Sequence, residues 1–405
     1  MSPSTRTKRY LTILCCVSSV LSTAACSDLA DSGDDPDGGD GELPAVTFRT
    51  FNVGLAPGLS PLVAERGARV IEAIAREAEM TTTLDRTALH VLCAQEFWAE
   101  DQWSALVAAT AETWPNALRM QPIPGVGRCS PEELEPLGVC MATNCDVPAE
   151  ETLACGQTAC ATEVAVISGA CLPCVLDNAP FGFEQVAAAC VNPDAAGDER
   201  EPALYGGAVD IGLLTNAPVT ASASRELDSY FVRAGVLYAS LDDGSDTDLH
   251  VFCTHLGSPL GGLPYQGAHG DYEGEHDAQI TQLLAFIDEK TDDDDKVVLL
   301  GDLNTGPAFS GLTPELPEHF ARLVPGAEFE IPALERPFCT WCDENSWLAD
   351  DTPSSMIDHV LLRGPHQAVV SSRPEFTTLV TIEGLPEPAH LSDHFGVQLT
   401  LSKYR

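Results

Sequence analysis

The sequence predicts an α/β fold, and three observations carry the prediction. Strand-like and helix-like segments alternate through the first part of the folded chain. A second helix followed by a fully apolar strand recurs near residues 277–300. The chain has 405 residues, 44% of them hydrophobic, which is enough for a sizeable core.

The elements follow in order. Residues 46–53 (VTFRTFNV) alternate nearly as a half-buried strand does. Residues 62–78 repeat Leu62, Val63, Val70, Ile71 and Ile74 on one helical face. Residues 88–95 (ALHVLCAQ) form an apolar run of strand length, and 103–114 read as an amphipathic helix. The rhythm then breaks. Residues 124–203 are rich in cysteine, proline and glycine, and predict a disulfide-stapled insertion with little regular structure. Strands resume at 208–214, 231–241 and 249–255. A glycine-rich loop over 257–275 leads to a helix at 277–289, with Ile280, Leu283, Leu284 and Ile287 on one face. KVVLL at 296–300 has the composition of a strand buried on both faces. Residues 356–362 and 397–401 complete the strands.

The N-terminus reads as a targeting signal. Arg6, Lys8 and Arg9 precede an apolar run over 11–21, too short to span a bilayer, and small residues lead to Cys26. The same layout resembles the lipobox of bacterial lipoproteins, in which Cys26 would be lipidated and attach the protein to a membrane. The alternative is an ordinary signal peptide on a freely secreted protein. Residues 27–42 (SDLADSGDDPDGGDGE) hold seven acids and no base, the composition of a disordered tether. The folded domain is expected over 43–405.

Fifteen cysteines are present, of which Cys15, Cys16 and Cys26 belong to the signal or anchor. Eight cluster between Cys129 and Cys190, and Cys339 with Cys342 forms a further CxxC. Wide spacing in an exported protein favours disulfides over a zinc site. Cys93 and Cys253 lie inside apolar strands, as buried thiols or as a bridge. The formal net charge is −40. So acidic a chain repels nucleic-acid backbones at long range, although a bound divalent ion would invert the charge locally.

Polar residues recur where apolar strands end, at Asn52, Gln95-Glu96, Thr254-His255, Asp302 with Asn304, and Asp358-His359, and Asp393-His394 precedes the last strand. Such ends are where active sites gather. Carboxylate and amide oxygens suit Mg²⁺ or another divalent cation such as Mn²⁺ or Ca²⁺. A histidine backed by an aspartate suits proton transfer from water. Together they point to hydrolysis of a phosphoric ester. GxxxxGK[ST], GxSxG and HExxH are all absent, which leaves kinase, serine-esterase and zincin readings without support.

The order of motifs resembles the endonuclease/exonuclease/phosphatase superfamily, which includes DNase I-like nucleases and neutral sphingomyelinases. The pieces are FNV at 51–53, QE at 95–96, GLLTNAPV at 212–219, THL at 254–256, GDLN at 301–304, IDHV at 357–360 and LSDHFGV at 391–397. The resemblance implies a four-layer α/β/β/α sandwich of two mixed sheets. It implies Glu96 as the main metal ligand, with Asn52 beside it and Asp393 as a further ligand. Asp302 and Asn304 would orient nucleophile and phosphate, His255 would stabilise the transition state, and His394 would be the general base oriented by Asp358. Trp98 and His359 match no transferable role, and 124–203 has no counterpart.

Among substrates, a phospholipid headgroup comes first, because VRAGVLYASL at 232–241 resembles a segment of neutral sphingomyelinases. A secreted nuclease is the alternative, weakened by having only 21 basic residues. An inositol-polyphosphate phosphatase fits less well, since WCDENSW at 341–347 shares only the first letters of that group's WCDRI signature. A catalytically inactive binding protein is the non-enzymatic alternative, and a monomer is expected.

Overall fold

The computed structural model describes residues 45–402, except 86, 124, 126, 149–151, 192–202, 231, 260–262, 333–336 and 350. The export signal, the acidic tether and Cys26 lie outside the described residues.

The chain runs β1 (Val46–Asn52), α1 (Val63–Leu84), β2 (Leu89–Gln95), α2 (Glu100–Thr110) and β3 (Asn116–Arg119). The insertion contributes α3 (Pro131–Asn144), α4 (Thr152–Ala159), α5 (Ala161–Val164), α6 (Leu172–Asn178) and α7 (Phe183–Cys190). Then follow β4 (Gly212–Thr215), β5 (Val219–Leu227), β6 (Ala234–Leu241), β7 (Leu249–His255), α8 (Tyr272–Lys290), β8 (Lys296–Asp302), α9 (Pro317–Leu323), β9 (Asp358–Arg363), β10 (Val369–Glu375) and β11 (Gly396–Leu401).

Two mixed sheets result, ordered β10-β11-β1-β2-β4-β3 and β5-β6-β7-β8-β9. Period-two alternation builds the layers. Val91 and Cys93 of β2 face a shared inner core with Val251 and Cys253 of β7 and Val298 and Leu300 of β8. The intervening Leu92 packs outward with Val70 and Ile74 of α1 and Leu106 of α2. On the other sheet, Phe252 and Leu299 pack outward with Ile280, Leu283 and Ile287 of α8. The expected four-layer sandwich is therefore present, and the Cys93–Cys253 disulfide crosses its interior from sheet to sheet.

The structure departs from the sequence reading at the edges. Helix α1 extends to Leu84, and α2 starts at Glu100 and ends before Trp114. Strands β3, β5 and β10 were not expected. Each is an edge strand, and β5 (VTASASREL) exposes most of its side chains, so it lacks the apolar run that marks a buried strand. The short helix α9 was also not expected.

The insertion is more regular than its composition implies. Ser130 caps α3 by accepting the Glu133 amide, and Pro131 occupies the first turn, where its missing N–H costs nothing. Helices this short are marginal alone. Four disulfides, Cys129–Cys171, Cys140–Cys160, Cys145–Cys155 and Cys174–Cys190, hold them around Leu134, Leu137, Ile167, Leu172 and Val186. Cys339 and Cys342 bridge each other. The zinc alternative is thereby excluded for both CxxC pairs, since every sulfur is in a disulfide.

Candidate active site

Sheet topology gathers the strand-end residues. Strands β1 and β2 are parallel, so Asn52 and Gln95 pair at one edge, followed by Glu96. Strands β7 and β8 are parallel and bring His255 opposite Asp302. Strand β9 runs antiparallel to β8, which sets Asp358 against Asp302. Strand β11 is antiparallel to β1, so the loop before it, with Asp393 and His394, reaches the same edge.

His394 Nδ1 lies 2.9 Å from Asp358 Oδ2 and 3.7 Å from Asp302 Oδ2. The Asp358 bond leaves His394 Nε2 for solvent-side chemistry. Asn52 Nδ2 donates to Asp302 Oδ2 at 2.9 Å and to Glu96 Oε1 at 3.1 Å. Asn52 Oδ1 accepts the Gly54 amide at 3.0 Å, and its second lone pair remains. Gly54 has a left-handed φ of 61°, and a Cβ there would meet Asp393 Oδ1 at 2.2 Å. Asp302 Oδ1 accepts the Asn304 amide at 2.9 Å. Asn304 Nδ2 donates to Leu256 O at 2.7 Å and lies 3.3 Å from His255 Nε2. Glu96 and Asn304 both hold positive φ, 62° and 46°, a conformation that needs surrounding structure to maintain it.

One member of the site escaped the sequence reading. Asp210 Oδ2 lies 2.6 Å from His255 Nδ1 and accepts the Glu96 amide at 3.0 Å. The only signal was a lone carboxylate inside AVDIGLL. His359 sits behind the site, with Nε2 against Thr305 O at 2.9 Å, and burial lowers its pKa to about 4. Trp98 lines the cavity and packs on Tyr205 at 4.6 Å between ring centroids.

Burial and neighbouring charge set the electrostatics of the site. Burial, then Asp393, raises Glu96 to about 7. Burial and the neighbouring Asp358 raise Asp302. Burial alone would lower the two histidines, yet Asp210 raises His255 to about 10, and Asp358 with Asp302 raises His394 to about 10. Glu96, Asp210, His255, Asp302, Asp393 and His394 open on one cavity of about 440 Å³, with Asp358 buried behind His394.

The sequence pattern of the endonuclease/exonuclease/phosphatase family matches residues 50–394. The chain belongs to this family. Its members are generally hydrolases acting on phosphoester bonds. Sphingomyelinase C from Streptomyces griseocarneus superposes with a TM-score of 0.50 at 18% identity, covering 89% of this chain and 100% of that one. Beta toxin from Staphylococcus aureus, solved with bound magnesium ions, superposes with a TM-score of 0.52 at 12% identity, covering 89% and 100%. At these identities the likeness is one of fold. No curated protein matches the chain.

The donor set fits the hard divalent cation that such a family fold suggests. Glu96 and Asp393 offer carboxylate oxygens, and Asn52 Oδ1, accepting only the Gly54 amide, offers an amide oxygen. Asp302, Asp358 and His394 also bring ligand-type atoms within 4.8 Å of one another. Asp358 and His394 engage each other, however, which is the arrangement of a proton-handling pair. Asp358 Oδ1 is buried without a hydrogen-bond partner and faces this carboxylate-rich region.

Proposed function

We propose that the protein is an exported, metal-dependent phosphodiesterase that hydrolyses phospholipid headgroup esters, as a sphingomyelinase does. The observation that carries the reading is the pairing of two carboxylate-backed histidines, His394–Asp358 and His255–Asp210, across one cavity from Glu96.

A divalent ion held by Glu96 with Asn52 and Asp393 would offset the charge that develops on the phosphate. His394 takes the proton of the attacking water at Nε2, and Asp358 fixes the ring and its tautomer. With the carboxylates unneutralised, His394 is protonated. It would act as a base with a cation held nearby to offset the pull of Asp358, Asp302 and Asp393. His255, kept cationic by Asp210, donates toward a non-bridging oxygen. Asn304 and Asp302 hold the phosphate and water in line with the leaving group.

Export is supported by the signal layout and by six disulfides among the described residues, which persist in oxidising compartments. A lipid on Cys26 would keep the enzyme at a membrane. The phospholipid reading is favoured over DNA because Arg233 is the only lysine or arginine lining the cavity among the described residues. A nucleic-acid groove needs a row of them.

The test sets sphingomyelin, phosphatidylcholine, duplex DNA and bis(4-nitrophenyl) phosphate side by side, with Mg²⁺ and with EDTA. Metal-dependent release of phosphocholine is expected. Nicking of DNA alone would replace the lipid reading with the nuclease one. No turnover on any substrate, with Glu96→Ala silent, would leave a binding protein.

A further inference from the structure

One wall of the cavity is not used by the chemistry above. Tyr230, Tyr272 and Glu275 line it, and Tyr265, outside the lining, touches all three. The Tyr230 and Tyr265 rings are 5.1 Å apart, and Tyr265 and Tyr272 are 5.0 Å apart. Glu275 is only 7% exposed. Its Oε2 accepts from Tyr265 Oη at 3.0 Å, and its carboxylate also accepts the Tyr230 backbone amide. Among the described residues it has no ion-pair partner. His269 lies nearby and is itself held by Asp228 at 3.2 Å. A buried carboxylate, ringed by tyrosines, without a cation and open to a substrate cavity, is a costly arrangement for structure alone.

We propose that Tyr230, Tyr272 and Glu275 form a subsite for a quaternary ammonium group, which rests on the phosphodiesterase reading and narrows its substrate to choline-type phosphodiesters. A quaternary ammonium spreads its charge over methyl groups and donates no hydrogen bond. Aromatic faces and a nearby carboxylate recognise it, with no array of acceptors. A primary ammonium would need such acceptors, and Tyr265 Oη already engages one Glu275 oxygen, donating its only proton there. Glu275 is also well placed along the cavity. Gln279, one turn further along α8, accepts the Gly257 amide at 2.7 Å, and Gly257 is two residues past His255. One helical turn is about 5.4 Å, comparable with the reach from phosphorus to nitrogen in phosphocholine.

The experiment uses the full oxidised protein and has two arms. The first titrates tetramethylammonium chloride by calorimetry and needs no turnover. The wild type and Tyr272→Phe, which keeps the aromatic face, are expected to bind. Tyr272→Leu and Glu275→Gln are expected to bind about tenfold more weakly. The second arm measures the ratio of kcat/KM for 4-nitrophenylphosphocholine to that for bis(4-nitrophenyl) phosphate. The ratio is expected to fall about tenfold in Tyr272→Leu and Glu275→Gln, through KM, and to hold in Tyr272→Phe. Equal tetramethylammonium binding by the wild type and Glu275→Gln, or a ratio that does not change in either variant, overturns the subsite. If no phosphodiester is cleaved at all, the phosphodiesterase reading fails, while the calorimetric arm still decides the subsite. Sphingomyelin vesicles run beside the soluble ester assign the choline to a lipid when the variants lose both. They assign it to a small ester when only the soluble substrate is cleaved and shows the loss.

Discussion

The two-sheet frame and the cysteine-rich insertion are held together by different means. The frame packs a continuous inner core between its sheets and carries a single cross-link through it, Cys93–Cys253. The insertion, which leaves after β3 and returns before β4, has four disulfides around a small core of its own. The frame's strand ends concentrate buried carboxylates and histidines, which destabilise a fold unless packing elsewhere compensates. The insertion leaves Val139, Val166 and Phe181 on its surface. Extensive burial allows the frame to hold an electrostatically strained site, and covalent links allow the insertion to fold with little core.

The largest expected effect falls on the frame's chemistry. His394→Ala is predicted to lower kcat by about a thousandfold or more with little change in melting temperature. Asp358→Asn should follow with a smaller loss, because it misorients a base that is still present. Rate measurements beside thermal melts test this. If His394→Ala instead melted far below the wild type with its residual kcat near normal, His394 would belong to the frame's packing and not to its chemistry.

Next comes the insertion's covalent support. Cys129 and Cys171 close a loop of 42 residues, worth about 4 kcal/mol in the chain-entropy account. Replacing both by alanine is predicted to open the insertion to proteolysis while leaving the frame's melt nearly in place. All five tryptophans lie outside 124–203, and Trp103, Trp114, Trp341 and Trp347 report the frame, while Trp98 packs on Tyr205 at its border with the insertion. A joint shift of the tryptophan melt and the protease sensitivity would show that the two regions are one cooperative unit.

The frame was legible in the sequence wherever strands are buried on both faces. VTFRTFN, LHVLCAQ and KVVLLGD read correctly because burial demands an apolar run. The β5 and β10 edges did not, because a half-exposed strand admits Ser, Thr, Arg and Glu. The strand-end residues of the site were legible as a set, and the structure brings Asn52, Glu96, His255, Asp302, Asn304, Asp358, Asp393 and His394 to one edge. Asp210 was not, because it carries no motif and its role depends on His255 being folded against it. In the insertion, Leu134, Leu137 and Met141 recur at helical spacing, but Pro136 and Gly138 between them argue for a loop. Capping by Ser130 and the disulfides override that local preference. Eight clustered cysteines admit many connectivities, and only the fold selects one.

The smallest expected effect is a difference in acid response between the two regions. Burial, aided by Arg49, lowers His90 to about 4, and burial, aided by His319, lowers His276 to about 4. Both are neutral in the folded frame and take up a proton near 6.5 once unfolded. Their contribution is complete above about 6.5 and is lost as pH falls toward 4, amounting to about 2 kcal/mol per histidine between pH 7 and pH 5. In the insertion the sign reverses. Burial raises Asp177 to about 6, against the opposing bond from the Tyr205 amide. A raised carboxylate favours the folded state below the unfolded pKa, and that contribution is lost as pH rises through about 6. Glu96, raised to about 7, contributes with the opposite sign within the frame, so the readout is a difference between variants: urea unfolding at pH 7 and pH 5, followed by tryptophan fluorescence, should show His276→Asn losing less stability in acid than the wild type. Protease resistance of the insertion, measured with an acid-tolerant protease, should hold or rise over the same interval, and Asp177→Asn should flatten it. Parallel weakening of both signals would mean that the insertion draws its stability from the frame and not from its own cross-links.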